Sequence, residues 1–206
     1  MNITVIGSGN MGSAFVKQLT RAAHHVYVTG RNAAKARALA VQHGASVEPP
    51  AAGSDVVILA TPYGEAVAAL RQARLRPGQV VIDVTNPLTP DYMGLTIGHT
   101  SSAAETIAAA LPAVRLVKAF NTIFAQVLND GADFAQGRFV QIFVAADDTT
   151  AKDVVSTLAR SMGFEVMDAG VLRNARYLEP LGALNVYLGY GAGLGTAITP
   201  CWLRKG

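Results

Sequence analysis

No aspartate or glutamate occurs in this chain before Glu48, although Lys17, Arg21, Arg31, Lys35 and Arg37 all fall within that stretch. Other scarcities narrow the possibilities further. The single cysteine, Cys201, excludes an intramolecular disulfide and any cysteine-based metal site. Of the four histidines, His24 and His25 are adjacent and point apart on a strand, while His43 and His99 lie in unrelated segments, so no metal ligation is expected. Charged residues make up only 15% of the chain and the net charge is +3, too small and too scattered for a nucleic-acid surface. No apolar run is long enough to cross a bilayer, and residues 1–6 lack the basic start of a signal peptide. The expectation is a soluble cytoplasmic protein with neither nucleic acid nor membrane as a partner. A length of 206 residues, half of them hydrophobic, suits one α/β domain with an extension.

What is present begins at the N-terminus. Ile3-Thr4-Val5-Ile6 is the β-branched run of a buried parallel strand, and Gly7-Ser8-Gly9-Asn10-Met11-Gly12 follows at once. Met11, Ala14, Phe15, Gln18, Leu19 and Ala22 then recur at helical spacing, with Lys17 and Arg21 on the opposite face. In a strand–loop–helix of this kind the three glycines serve a tight turn, a close backbone approach to a diphosphate and helix–strand packing, and the helix N-terminus faces the phosphates. A dinucleotide is the expected ligand.

An acidic residue about 20 positions after such glycines binds the ribose 2′-hydroxyl of NAD. Here the corresponding place, at the end of the second strand His25 to Thr29, reads Thr29-Gly30-Arg31-Asn32. A carboxylate would repel a 2′-phosphate, whereas a guanidinium offers it charge-assisted donors. Arg31 and Lys35 can converge on one phosphate, with Thr29 and Asn32 as neutral donors, so the expected cofactor is NADP(H). The plainer alternative for Arg31 and Lys35 is a solvated basic helix face.

Strands and helices alternate along the rest of the chain. The pattern predicts strands over 55–60, 79–85, 114–119, 139–146 and 164–167, helices over 64–74 and 149–162, and a helix opened by the capping box Ser102-Ala103-Ala104-Glu105. The expected fold is α/β, a doubly wound, mostly parallel Rossmann sheet over residues 1–170. The apolar, glycine-spaced segment 171–206 is expected to be helical and packed on that domain; Gly191-Ala192-Gly193-Leu194-Gly195 follows no strand and reads as close helix packing or a turn rather than a second nucleotide loop.

In an open parallel sheet the ligand lies at the carboxyl ends of the strands, where strand order reverses. Beyond the glycine loop and Arg31, those ends are Ala60-Thr61-Pro62-Tyr63, Thr85-Asn86-Pro87-Leu88 and Phe120-Asn121-Thr122-Ile123. The nicotinamide half is expected to pass Thr61 and Pro62 toward Asn86 and Asn121, whose amides can bind carboxamide or ribose. Carbonyl or imine reduction would require a proton donor there, and His99, Lys118, Tyr63 and Tyr92 are the candidates, none in a recognisable acid motif. A flavin-type ring takes hydride without a dedicated acid. A non-catalytic module that senses NADPH is a third possibility.

These motifs resemble the coenzyme F420-dependent NADP oxidoreductase family, compact single Rossmann domains of similar length. The likeness rests on the glycine loop, on Gly30-Arg31 with Lys35, on Ser102-Ala103-Ala104-Glu105, on Ala146-Asp147-Asp148, and on Asp168-Ala169-Gly170 with Leu172 and Arg176. The stretches Thr85-Asn86-Pro87 and Val117-Lys118-Ala119-Phe120-Asn121-Thr122-Ile123 are also similar to the cytosolic reductase domain of six-transmembrane (STEAP) metalloreductases, without their membrane helices. The resemblance implies NADP(H) on Gly7 to Gly12, Arg31, Asn32 and Lys35, with Asn86, Ala119 and Asn121 near the nicotinamide. It implies a small-molecule redox acceptor, F420, FMN or FAD, and a homodimer in which the C-terminal segment contributes to the acceptor cleft.

Overall fold

The chain alternates β1 (Asn2–Ile6), α1 (Asn10–Arg21), β2 (His25–Thr29), α2 (Ala33–His43), the short β3 (Ser46–Val47), β4 (Val56–Leu59), α3 (Ala66–Gln72), β5 (Val80–Asp83), α4 (Ala103–Ala110) and β6 (Arg115–Ala119). It continues through α5 (Ala125–Asp130), a hairpin of β7 (Asp133–Ala135) and β8 (Arg138–Phe139), β9 (Gln141–Ala145), α6 (Thr149–Ser161), β10 (Glu165–Asp168) and α7 (Ala175–Val186). This is a computed structural model that describes residues 1–47, 51–135, 137–203 and 205. Glu48, the first carboxylate in the sequence, lies outside the described residues.

Eight strands form one sheet in the order β10-β9-β6-β5-β4-β1-β2-β3. β1 pairs in parallel with β2 on one side and with β4 on the other. The chain therefore winds outward in one direction through β2 and β3 and in the other through β4, β5 and β6. The order reverses at β1, whose carboxyl end carries the glycine loop, so a crevice opens there.

Alternation along the strands builds the two faces. Val56 and Ile58 of β4 and Val117 and Ala119 of β6 enter one core with Phe15 and Leu19 of α1 and Val155 and Leu158 of α6. Val57, Leu59, Val81 and Leu116 enter the opposite core with Leu70 of α3 and Ile107 of α4. Strands buried on both faces explain the near-continuous apolar runs of the sequence.

The sheet departs from the alternating pattern after β6. The run expected as one strand over 139–146 splits, with Phe139 in the hairpin and the sheet strand beginning at Gln141. β9 then pairs antiparallel to β6, Lys118 opposite Ala145 and Ala119 opposite Val144. A parallel entry would need a crossover that returns the chain to the amino end of the sheet. Residues 120–140 instead form α5 and the hairpin. α5 is tied to α1, since Lys17 Nζ donates to the Asn129 carbonyl at 3.0 Å and Gln18 Nε2 donates to the same oxygen at 2.7 Å. Lys17 is thus a bridge between helices rather than a solvent-facing cation.

Segment 171–206 is helical over α7, followed by a π turn at Tyr187–Gly191. Close packing explains Gly182 and Gly189, whereas Gly193 and Gly195 take left-handed turn conformations at φ +74° and +79° in open space. A Cβ on Gly182 would stand 2.7 Å from the Asn121 carbonyl oxygen, and one on Gly189 would stand 2.5 Å from the Phe124 ring. α7 consequently lies directly against the carboxyl ends of β5 and β6.

Candidate functional site

The glycine loop is shaped by three different constraints. Gly7 adopts φ +122° and donates its N–H to the Thr29 carbonyl at 2.8 Å, and a Cβ there would stand 2.3 Å from the Ala60 carbonyl oxygen. A Cβ on Gly12 would stand 1.9 Å from the Gly7 carbonyl oxygen. Gly9 is different: it is exposed, has ordinary extended dihedrals, and a Cβ would meet nothing within 4 Å. No contact inside the protein requires glycine at position 9, so the bare backbone there suits a group that approaches from outside. Ser8 and Met11 are half-buried, and Asn10 opens α1, whose Gly9 N-cap makes no side-chain cap and whose first turn holds no acid. The helix thus presents free N–H groups and positive dipole to the crevice, as a diphosphate requires.

At the end of β2, Thr29 and Gly30 are half-buried while Arg31, Asn32 and Lys35 are exposed. Asn32 caps α2, its Oδ1 accepting the Lys35 N–H at 2.9 Å, so only its side-chain N–H groups are left to donate. Arg31 has a partner absent from its own segment. Its Nη1 lies 2.8 Å from Glu65 Oε1, in the turn Tyr63–Glu65 that follows β4. The stretch free of acids in sequence therefore receives a carboxylate in space. Glu65 was recoverable in principle, because it follows the strand that neighbours β1 at the reversal point.

On the other side of the reversal, Ala60 continues the β1 ladder by donating its N–H to the Ile6 carbonyl at 2.8 Å, and Pro62 is exposed. Asn86 and Asn121 meet, but they are largely occupied with each other. Asn86 Nδ2 donates to the Asn121 carbonyl at 2.7 Å, and Asn121 Nδ2 donates to Asn86 Oδ1 at 2.9 Å and to the Leu178 carbonyl at 2.9 Å. The Asn121 side chain has no donor left; its Oδ1 is buried without a hydrogen-bond partner. Ala119 is fully buried at the end of β6. Phe120 points its ring into the core, edge-on to Phe15 at 5.0 Å and to Phe164 at 6.0 Å, so only its backbone can border the crevice. The price is a left-handed φ of +62° at a non-glycine residue.

The proton-donor candidates do not converge on this site. Lys118 is completely buried on the α4 side of the sheet, with Nζ 2.9 Å from Asp83 Oδ2 and 2.8 Å from Glu179 Oε1 and a further bond to the Thr85 carbonyl. An ammonium has three N–H groups, and all three are used. Glu179 comes from α7 and also accepts the N–H groups of Ala103 at 2.8 Å and Ala104 at 3.1 Å, at the N-terminus of α4. Tyr63 packs against the core beside α3, Tyr92 is exposed, and His99 is an exposed loop residue at φ +58°. The capping box forms: Ser102 Oγ accepts the Glu105 N–H at 3.1 Å, and Arg176 grips both Glu105 oxygens at 2.7 and 2.9 Å. That guanidinium holds the Glu105 carboxyl below its ordinary range, against the opposing effect of partial burial.

The fit to a dinucleotide can be tested on unpartnered atoms. Among the described residues, five buried side-chain oxygens lack a hydrogen-bond partner, and four of them are Thr61 Oγ1, Thr85 Oγ1, Asn121 Oδ1 and Thr122 Oγ1. They lie together at the carboxyl ends of β4, β5 and β6. Buried polar groups are rarely left unpaired, and a row of neutral acceptors and hydroxyls matches a carboxamide and a ribose. The residues present fit the group. No cluster of three or more His, Cys, Asp or Glu able to hold a metal occurs among the described residues.

Residues 2–87 match the family model described as NADP oxidoreductase, coenzyme F420-dependent. Rat metalloreductase STEAP3 (Rattus norvegicus) is 30% identical over 87% of this chain, which spans 36% of that protein, so the chain covers about a third of the length of the curated relatives it matches. A crystal structure from Arthrobacter sp. FB24, provisionally assigned as an F420-dependent NADP reductase, is 27% identical and superposes with a TM-score of 0.86 over 98% of this chain and 99% of its own. An imine reductase from Pseudomonas sp. shares the fold at 21% identity and a TM-score of 0.67, with 93% of this chain covering 63% of that one.

Proposed function

From the match of residues 2–87 to the NADP oxidoreductase, coenzyme F420-dependent family model, we propose that the protein transfers a hydride between NADPH and a flavin-type acceptor, F420, FMN or FAD. Gly7, Ser8, Gly9, Asn10, Met11 and Gly12 hold the diphosphate, and Arg31 and Lys35, with Thr29, Gly30 and Asn32, hold the 2′-phosphate. Ala60, Thr61, Pro62, Asn86, Ala119, Phe120 and Asn121 border the nicotinamide half. When bound, the dinucleotide supplies the hydride; the protein positions it and excludes water.

One observation carries the choice of acceptor. The row at the ends of β4, β5 and β6 offers neutral oxygens, and the one buried ammonium beside it is spent on Asp83, Glu179 and the Thr85 carbonyl. A site that aligns without donating a proton suits a ring that takes hydride at one atom and exchanges its proton with water. It suits a ketone or imine poorly, since each needs an acid at the moment of transfer. In the same reading the protein is a cytoplasmic homodimer. Tyr177, Leu184, Tyr190, Leu194 and Leu203 expose large apolar groups on α7 and beyond it, a surface that a second copy would cover. No helix among the described residues is long and apolar enough to cross a membrane.

The test is stopped-flow mixing of NADPH-loaded protein with F420, FMN and FAD in turn. Loss of nicotinamide absorbance at the rate of acceptor reduction is expected for at least one of them. Absence of reduction of all three ends the proposal.

A further inference from the structure

The carboxylate that reaches Arg31 is placed too deliberately to be a passing surface contact. Glu65 closes the turn Tyr63–Glu65, where its N–H donates to the Pro62 carbonyl at 3.0 Å, and it is followed by the fully buried Ala66. It stands at the N-cap of α3 yet makes no side-chain cap bond with its own helix. Its oxygen goes instead to Arg31, which follows β2. β2 and β4 lie on opposite sides of β1, so the ion pair spans the crevice at the reversal point, over the end of the strand that carries Gly7. The two partners are unequal: the Glu65 side chain is 35% exposed and that of Arg31 is 79% exposed. Glu65 is the anchored member and the guanidinium is the solvated one that can turn.

We propose that Glu65 is a specificity-setting residue that competes with the 2′-phosphate of the dinucleotide for the Arg31 guanidinium. The inference rests on the NADP(H) reading of this pocket and deepens it. Glu65 holds Nη1 of the Arg31 guanidinium, and a dianionic phosphate brought to the same place competes for that nitrogen and meets a like charge beside it. Binding of the phosphorylated cofactor therefore draws Arg31 away from Glu65. The unphosphorylated cofactor, which has no use for Arg31, leaves the pair closed. Glu65 thus lowers the preference for NADPH below what Arg31 and Lys35 alone would give. The competition is modest in size, because exposed ion pairs contribute little and are screened by salt.

The experiment is calorimetric titration of the full-length protein and of Glu65→Gln, Arg31→Ala and the double variant, with NADPH and with NADH. Glu65→Gln is expected to tighten NADPH by about three- to tenfold and to leave NADH within about twofold, with the gain shrinking at high ionic strength. In the Arg31→Ala background the same glutamine substitution is expected to change NADPH binding by less than about twofold. Unchanged or weakened NADPH binding in Glu65→Gln overturns the inference, as does an equal gain for both cofactors. If Arg31→Ala loses NADPH selectively while Glu65→Gln changes nothing, only the competition is refuted. If Arg31→Ala shifts neither cofactor, the phosphate pocket itself falls and the competition with it.

Discussion

At the scale of single residues, the glycine loop separates what the protein needs for itself from what it needs for a ligand. A Cβ on Gly12 would occupy space already claimed by the Gly7 carbonyl, so Gly12→Ala is expected to destabilise the fold by about 3 kcal/mol, as overpacking against backbone does. Gly9 faces open space, and Gly9→Ala is expected to keep stability within about 0.5 kcal/mol of the parent. Its methyl would nonetheless stand between backbone and diphosphate, weakening NADPH by roughly 10- to 100-fold, the worth of a charge-assisted hydrogen bond. Thermal melts with and without NADPH read both effects, since the ligand-induced shift falls in Gly9→Ala while the unliganded midpoint stays put. A Gly9→Ala protein with a full ligand-induced shift would remove the diphosphate from this loop. His99 makes a second residue-scale case: it is an exposed loop side chain, and His99→Ala is expected to leave the hydride-transfer rate within about twofold of the parent in single-turnover measurements.

At the scale of elements, α7 is fastened to the sheet and to α4 by charge. Lys118 of β6, Asp83 of β5 and Glu179 of α7 form one buried cluster, with the α4 N–H groups sharing the load of the second carboxylate. Lys118→Met would leave two buried carboxylates without their cation, and a loss of about 3–5 kcal/mol is expected in urea unfolding. The outer link is titratable. Arg176 depresses the folded-state Glu105 carboxyl, so this pair stabilises fully above the ordinary glutamate range and its contribution disappears as pH falls through the depressed value. The stability difference between the parent and Glu105→Gln is accordingly expected to be largest near neutral pH and to close in acid. A difference that widened in acid would reverse the assigned sign. The sequence displayed the capping box and the lysine, but not that both close on α7; their partners lie 71 and 61 positions away along the chain, and no local pattern encodes that meeting.

At the scale of the whole molecule, α7 and the segment after it expose several large apolar side chains, among them Tyr177, Leu184, Tyr190 and Leu194. Light scattering at micromolar concentration is expected to give twice the 21.5 kDa chain mass, and Leu184→Asp is expected to shift the population toward one chain. A single-chain mass for the parent would reassign that surface.

What the sequence determined alone was everything set by local sterics and periodicity: the strands buried on both faces, the helix after the glycines, the capping box, and the carboxyl ends of the strands. A β-branched run, a glycine that must have no Cβ and a serine three residues before a glutamate act over a few ångströms and a few positions. Tertiary structure decided the rest. It turned β9 antiparallel, hid the Phe120 ring between Phe15 and Phe164, exhausted the donors of Lys118 and Asn121, and brought Glu65 across the crevice to Arg31. Those outcomes depend on which strand ends become neighbours once the sheet is wound, and electrostatic contact through space is blind to separation along the chain.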